Sequence, residues 1–233
     1  MRLPSAVLLE VEGVIASTHA ARRESLVRSL ADDGVAIDAR TYDDLCHGLP
    51  VRGAVHAALE ASDVSMDETG VELVALRAER YFVERVSTGL TLAEGARDAL
   101  ERLHSRARLG VVTRAARREA DIILAAADAG FLFESVVTAD DTPGEPKPAP
   151  APYRLALVRL CRRRPIASGD AVALEDGRAG IRAAHGAGLR CLAVGDVPAF
   201  RALDADGYLP SLRGATVEAL GTLVARAGPG QGG

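Results

Sequence analysis

The chain has 233 residues, 48% hydrophobic and 26% charged, enough apolar material to bury a sizeable core in one domain or in a domain carrying an insertion. A net charge of −4, an aromatic content of 3% and no tryptophan exclude a basic, base-stacking surface for nucleic acid and weigh against an anionic membrane. Cys46, Cys161 and Cys191 are odd in number and lack Cys-x-x-Cys spacing, which points to reduced thiols in the cytoplasm. The N-terminal apolar stretch is cut by Glu10 and Glu12, unlike a signal peptide, and no run approaches transmembrane length.

The continuous apolar run from Ala6 to Leu9 predicts a buried central strand. If the strand continues, Glu10 and Glu12 project from the same face. Two acids there repel unless a cation or a proton lies between them; the plain alternative is an acidic turn after a core strand. Residues 16 to 90 show no strand pattern. Apolar spacing predicts helices over about 19–33, 39–47, 51–61 and 67–87. Ser65-Met66-Asp67-Glu68 and Thr91-Leu92-Ala93-Glu94 both have the capping-box form, the second opening a helix that runs to about 105.

Strands and helices then alternate. Strands are expected at 109–113, 134–138, 171–175 and 190–194, with helices over about 116–129, 151–163 and 178–187. With the first strand this is an α/β fold, a doubly wound five-stranded parallel sheet interrupted once by an all-helical insertion. The expected division is a core of residues 1–15 and 91–227, a helical insertion at 16–90 and a flexible tail at 228–233.

Polar residues gather at predicted strand ends: Glu10 and Glu12, Thr113, and Glu175 with Asp176, while Lys147 follows a strand in a Pro-rich loop. Open parallel sheets bind ligands at that edge, where strand order reverses. Each residue also has a plain role. Thr113 suits a helix cap, Lys147 a solvated loop, and Glu175-Asp176 a helix N-terminus. Asp140 and Asp141, just upstream of the lysine loop, could support the site from behind or be merely solvated, and the second reading is preferred.

The segments 7–15, 110–113, 147–153 and 174–188 resemble the motif set of the haloacid dehalogenase superfamily, in its helical-cap, phosphatase and beta-phosphoglucomutase-like branch. The resemblance implies a Mg²⁺-dependent phosphatase or phosphomutase-like enzyme acting on a small phosphorylated metabolite. It makes Glu10 the nucleophile and Glu12 the general acid and base. Thr113 and Lys147 would hold the phosphoryl group, and Glu10, the Glu12 carbonyl, Glu175 and Asp176 would hold Mg²⁺. Residues 16–90 become a cap, in which Arg52 is a candidate contact for a second anionic group. Arg114 is a further substrate-binding candidate beside Thr113, and His19 is either a cap-hinge residue or a surface histidine at a helix start. The chain is expected to work as a monomer or weak homodimer.

Two departures stand out. The first motif ordinarily reads Asp-x-Asp-Gly-Val and is Glu10-Val11-Glu12-Gly13-Val14 here. Glutamate keeps the charge but adds a methylene, on the order of 1 Å of reach, and such a displacement can cost about 100-fold in rate. Ser17 and Ala151 also replace aspartates common at those places. The alternative is therefore a catalytically weak or inactive member that binds metal and phosphorylated ligand in a regulatory role. A phosphoacceptor receiver domain also clusters acids, a hydroxyl and a lysine at strand ends, but the insertion at 16–90 counts against it.

Overall fold

The computed structural model describes residues 3–162, 164–195 and 204–226. The expected tail at 228–233 lies outside the described residues. By its contacts the chain divides into two units, one of Met1–Ser17 with Thr91–Gly233 and one of Thr18–Leu90. Among the described residues no helix is long and apolar enough to cross a membrane.

The first unit is built on a parallel sheet. Its strands are β1 (Ala6–Leu9), β4 (Arg108–Val112), β5 (Phe133–Val137), β6 (Ala171–Glu175), β7 (Arg190–Val194) and β8 (Gly207–Leu209), in the order β5-β4-β1-β6-β7-β8. Every residue of β1 is fully buried, as a continuous apolar run in a sheet covered on both faces must be. Among the described residues the sheet has six strands, one more than expected. The sixth, β8, is three residues long with Tyr208 exposed, so it carries no apolar run to signal it.

The register places the functional edge. Leu9 pairs with Val111 on one side and Leu174 on the other, which brings Glu10, Val112 and Glu175 level. The chain runs outward from β1 to β4 and β5, then returns to β6 and continues to β7 and β8 on the other side. Strand order thus reverses beside β1, the place where open sheets form a ligand crevice. Helices α5 (Ala96–His104), α6 (Arg117–Ala126), α7 (Ala151–Cys161), α8 (Arg178–Gly186) and α9 (Val217–Arg226) complete this unit.

The second unit contains α1 (His19–Ala31), α2 (Ala39–Thr41), a π-helical turn at Tyr42–Cys46, α3 (Val51–Ala61) and α4 (Glu68–Thr88). Leu26, Leu30, Val55, Leu59, Val71 and Val74 form its own apolar core. The helix expected at 39–47 is divided between α2 and the π turn.

Both expected capping boxes give way to other geometry. The Asp67 side chain, not Ser65, caps α4 by accepting from Gly70 N–H at 2.7 Å. Thr91–Leu92 forms β3, antiparallel to β2 (Ala16–Ser17), so the chain entering the insertion pairs with the chain leaving it. Helix α5 consequently starts only at Ala96, after Gly95. The segment expected to be free of strands therefore has one at its very edge.

Candidate active site

β1 ends at Leu9 and the chain turns at once. The N–H groups of Ile15 and Ala16 both donate to Val11 O at 2.9 Å, and Gly13 takes a φ of 80°. Glu10 still holds the sheet ladder through its N–H to Leu174 O at 3.0 Å, while Glu12 lies in the turn that begins at Val11, so the two do not share one face of a continued strand. Glu10 is buried and Glu12 half-buried. Across from the turn, the Asp176 carboxyl packs on Gly13 so closely that a Cβ there would lie 2.1 Å from its Oδ2.

Lys147 joins the strand ends. Its Nζ donates to Glu10 Oε2 at 2.8 Å, to Glu175 Oε1 at 2.5 Å and to Val112 O at 2.8 Å. The remaining Glu10 oxygen, Oε1, accepts from Val11 N–H at 2.7 Å. Thr113 is buried beside them, its N–H donating to Val137 O at 2.9 Å and its Oγ1 accepting from Ala115 N–H at 3.2 Å.

The charges follow from these contacts. Burial alone would raise the Glu10 carboxyl, but the Lys147 charge and hydrogen bonds from Lys147, Thr113 and Val11 hold it below its ordinary range. Burial would lower the Lys147 ammonium, and Glu10 and Glu175 keep it above its usual value instead. Burial raises Glu175; the Lys147 charge opposes this and the Glu10 charge adds to it. Asp176 is pushed up to about 7 by burial and then by the Glu175 and Glu10 charges, with Arg114 and Lys147 pulling the other way. The edge thus holds more carboxylate charge than one lysine offsets.

Of the residues singled out in the sequence, Glu10, Glu12, Thr113, Lys147, Glu175 and Asp176 stand at this edge, and Arg114 follows Thr113 at the surface. Arg52 belongs to the helical unit, where it pairs with Glu68 at 2.7 Å and Glu72 at 3.3 Å. His19 is in that unit too, with Nδ1 2.8 Å from His47 Nδ1 and Nε2 2.9 Å from Asp43 Oδ1. Among the described residues no three His, Cys, Asp or Glu side chains are already gathered as for a metal ion.

Sequence reasoning missed two residues. Asp141 is not a solvated acid: it accepts from Arg117 at 2.7 Å, Arg159 at 2.6 Å and the Thr138 N–H and hydroxyl at 2.8 and 2.9 Å. Asp140 caps the neighbouring Arg117 N–H at 2.8 Å. Tyr153 is the other; its hydroxyl donates to Glu175 Oε1 at 2.5 Å. The available signal was a phenol at helical spacing with Ala156 and Leu160 on the buried face of α7, since a buried tyrosine hydroxyl needs a partner.

This arrangement of turn, strand-end hydroxyl, loop lysine and acidic pair coincides with a match to known sequences. The model of the family described as haloacid dehalogenase-like hydrolase matches residues 7–194. The chain belongs to that family. It is 31% identical over 202 residues to Protein CbbY of Cereibacter sphaeroides, covering 80% of this chain and 82% of that protein. It is 30% identical over 188 residues to validoxylamine A 7'-phosphate phosphatase of Streptomyces hygroscopicus subsp. limoneus, covering 79% of this chain and 83% of the other. The crystal structure of CbbY from Rhodobacter sphaeroides in complex with phosphate superposes with a TM-score of 0.81 at 26% identity, covering 94% of this chain and 100% of that one. The haloacid dehalogenase-like chain thus shares both sequence and fold with proteins handled as phosphate binders or phosphatases.

Proposed function

We propose that this chain is a Mg²⁺-dependent phosphoric-monoester hydrolase acting slowly on a small phosphorylated metabolite, with Glu10 as the nucleophile. One observation carries the reading: Lys147 bridges Glu10 and Glu175 at the sheet's C-terminal edge, keeping a buried carboxylate ionised with a cation beside it. The phosphatase among the relatives and the phosphate complex of CbbY support the substrate class. In this reading the helical unit is a cap, and a cytoplasmic monomer or weak homodimer suits three free cysteines.

The chemistry assigns each side chain a task. A Glu10 carboxylate oxygen attacks phosphorus while Glu12, protonated, gives its proton to the departing ester oxygen; the phosphorus–oxygen ester bond breaks and an acyl phosphate forms on Glu10. Glu12 then takes a proton from water, whose oxygen attacks phosphorus, and phosphate leaves as the Glu10 carboxylate returns. Lys147 and the Thr113 hydroxyl stabilise negative charge on the phosphoryl oxygens.

The residues present fit Mg²⁺. Glu10, Glu175, Asp176 and the Glu12 carbonyl supply the hard oxygens this ion prefers; burial first, and then the Glu175 and Glu10 charges, lift Asp176 to about 7, and a cation would relieve the charge part of that shift. When bound, the ion supplies charge neutralisation for the phosphoryl group.

A second reading has its own observation. Both Glu10 oxygens are already engaged, one by Val11 N–H and one by Lys147, as suits a protein that binds phosphorylated ligand and seldom turns it over. Phosphate release from aryl and sugar phosphates, with and without Mg²⁺, separates the two. Slow Mg²⁺-dependent release that disappears in Glu10→Gln is expected. Binding of inorganic phosphate with no release from any ester would leave the regulatory reading and remove the enzymatic one.

A further inference from the structure

We infer that Tyr153 and Gly180 are positioning residues that fix the Glu175 carboxyl and, through it, Lys147 against Glu10; the catalytic part of this inference rests on the phosphatase reading above. Tyr153 is fully buried in α7, within a core shared by Ala156, Leu160 and Ile181. Phenylalanine would fill the same space, so packing alone does not call for a hydroxyl there. The hydroxyl donates to Glu175 Oε1 at 2.5 Å. The same oxygen receives Lys147 Nζ at 2.5 Å. Two donors converging on one oxygen set the rotation of the carboxyl, and a donor to a charged acceptor binds about twice as strongly as a neutral pair.

Backbone also lies against that carboxyl. A Cβ built on Gly180, in the first turn of α8, would lie 2.0 Å from Glu175 Cδ and 2.1 Å from each of its oxygens. The carboxyl therefore lies against a bare Cα, and any larger residue there would displace it. Lys147 Nζ also sits 5.2 Å from the centre of the Tyr153 ring, so one tyrosine touches both members of the ion pair, by hydroxyl and by ring. Glu10 and Val112 O hold Lys147 from the other side, which makes the contribution of Tyr153 partial.

Tyr153→Phe removes only the hydroxyl and keeps the ring, and Gly180→Ala disturbs the same carboxyl by contact with an added methyl. Both variants are to be purified as full chains, checked by thermal melting, crystallised, and assayed for kcat and KM on an aryl phosphate with Mg²⁺. Tyr153→Phe is expected to melt close to the parent, to show Glu175 turned from Lys147, and to lose about tenfold in kcat at unchanged KM, the lower end for a lost partner of a functional ligand. Gly180→Ala, where it folds, is expected to displace Glu175 and to lose more. Glu175 and Lys147 unmoved in Tyr153→Phe, or an unchanged kcat in an active parent, would overturn the inference. A parent without turnover whose Tyr153→Phe crystal shows Glu175 displaced would uphold the positioning role and instead refute the phosphatase reading.

Discussion

Lys147 and Glu175 meet at 2.5 Å with 1% and 2% of their side chains exposed, and Glu10 completes the bridge at 2.8 Å with 5% exposed. Removing the ammonium would leave two buried carboxylates facing each other. Breaking a buried pair of this kind costs about 3–5 kcal/mol. Lys147→Met should therefore unfold at lower denaturant than the parent at pH 7. Because the orphaned carboxylates would take up protons, the deficit should shrink as pH falls toward about 4. Denaturant melts of both chains across that range check this; a pH-independent deficit would mean that lost packing, not charge, is responsible.

Position 10 tests reach. The family's first motif carries aspartate, and the fold superposes on a phosphate-binding relative, so the cradle around Glu10 should accept the shorter acid. Glu10→Asp is expected to raise Mg²⁺-dependent hydrolysis of aryl phosphate by about tenfold, on the order of 1.4 kcal/mol in barrier. Initial rates at saturating Mg²⁺ decide it. A fall in rate would show that the turn at 10–16 is shaped around glutamate.

The metal assignment has a direct readout. Asp176→Asn keeps the packing on Gly13 but removes one negative charge from the oxygen set. Calorimetric titration with Mg²⁺ in the presence of inorganic phosphate should show affinity lower by at least about tenfold. Equal affinity in parent and variant would move the metal site away from Asp176.

Asp141 gives a pH signature. Burial would raise its carboxyl, but hydrogen bonds from Arg159 and Thr138 bring it down to about 2, against 3.8 for a free side chain. A carboxyl depressed by folding adds stability above its unfolded value and loses it as pH falls through the folded one. The parent should therefore exceed Asp141→Asn by about 1 kcal/mol above pH 4, after allowance for screening by solvent. That advantage should vanish between pH 4 and pH 2, as chemical denaturation at successive pH values will show.

Much of this was legible in residue order. β1, β4, β6 and β7 announce themselves because strands covered on both faces need unbroken apolar runs. The acids, Thr113 and Lys147 could be found because parallel strand ends collect polar groups. What escaped was set by tertiary pairing. β8 is an edge strand too short to show a pattern, and Thr91–Leu92 looked like a helix start because its partner, Ala16–Ser17, lies far away in sequence. The direction of Glu12 depended on a turn closed by Val11 O. Asp141 looks like any loop acid until Arg117 and Arg159, from α6 and α7, close on it.

The central claim is that Glu10 becomes phosphorylated. The most direct measurement is rapid acid quench of the chain turning over an aryl phosphate with Mg²⁺, followed by peptide mass spectrometry of the segment around residues 3–22. An acid-stable phosphoryl adduct on Glu10, cleaved by hydroxylamine and missing in Glu10→Gln, is the predicted result. Phosphate release that continues with no adduct on Glu10, or with the adduct on another residue, would contradict the account.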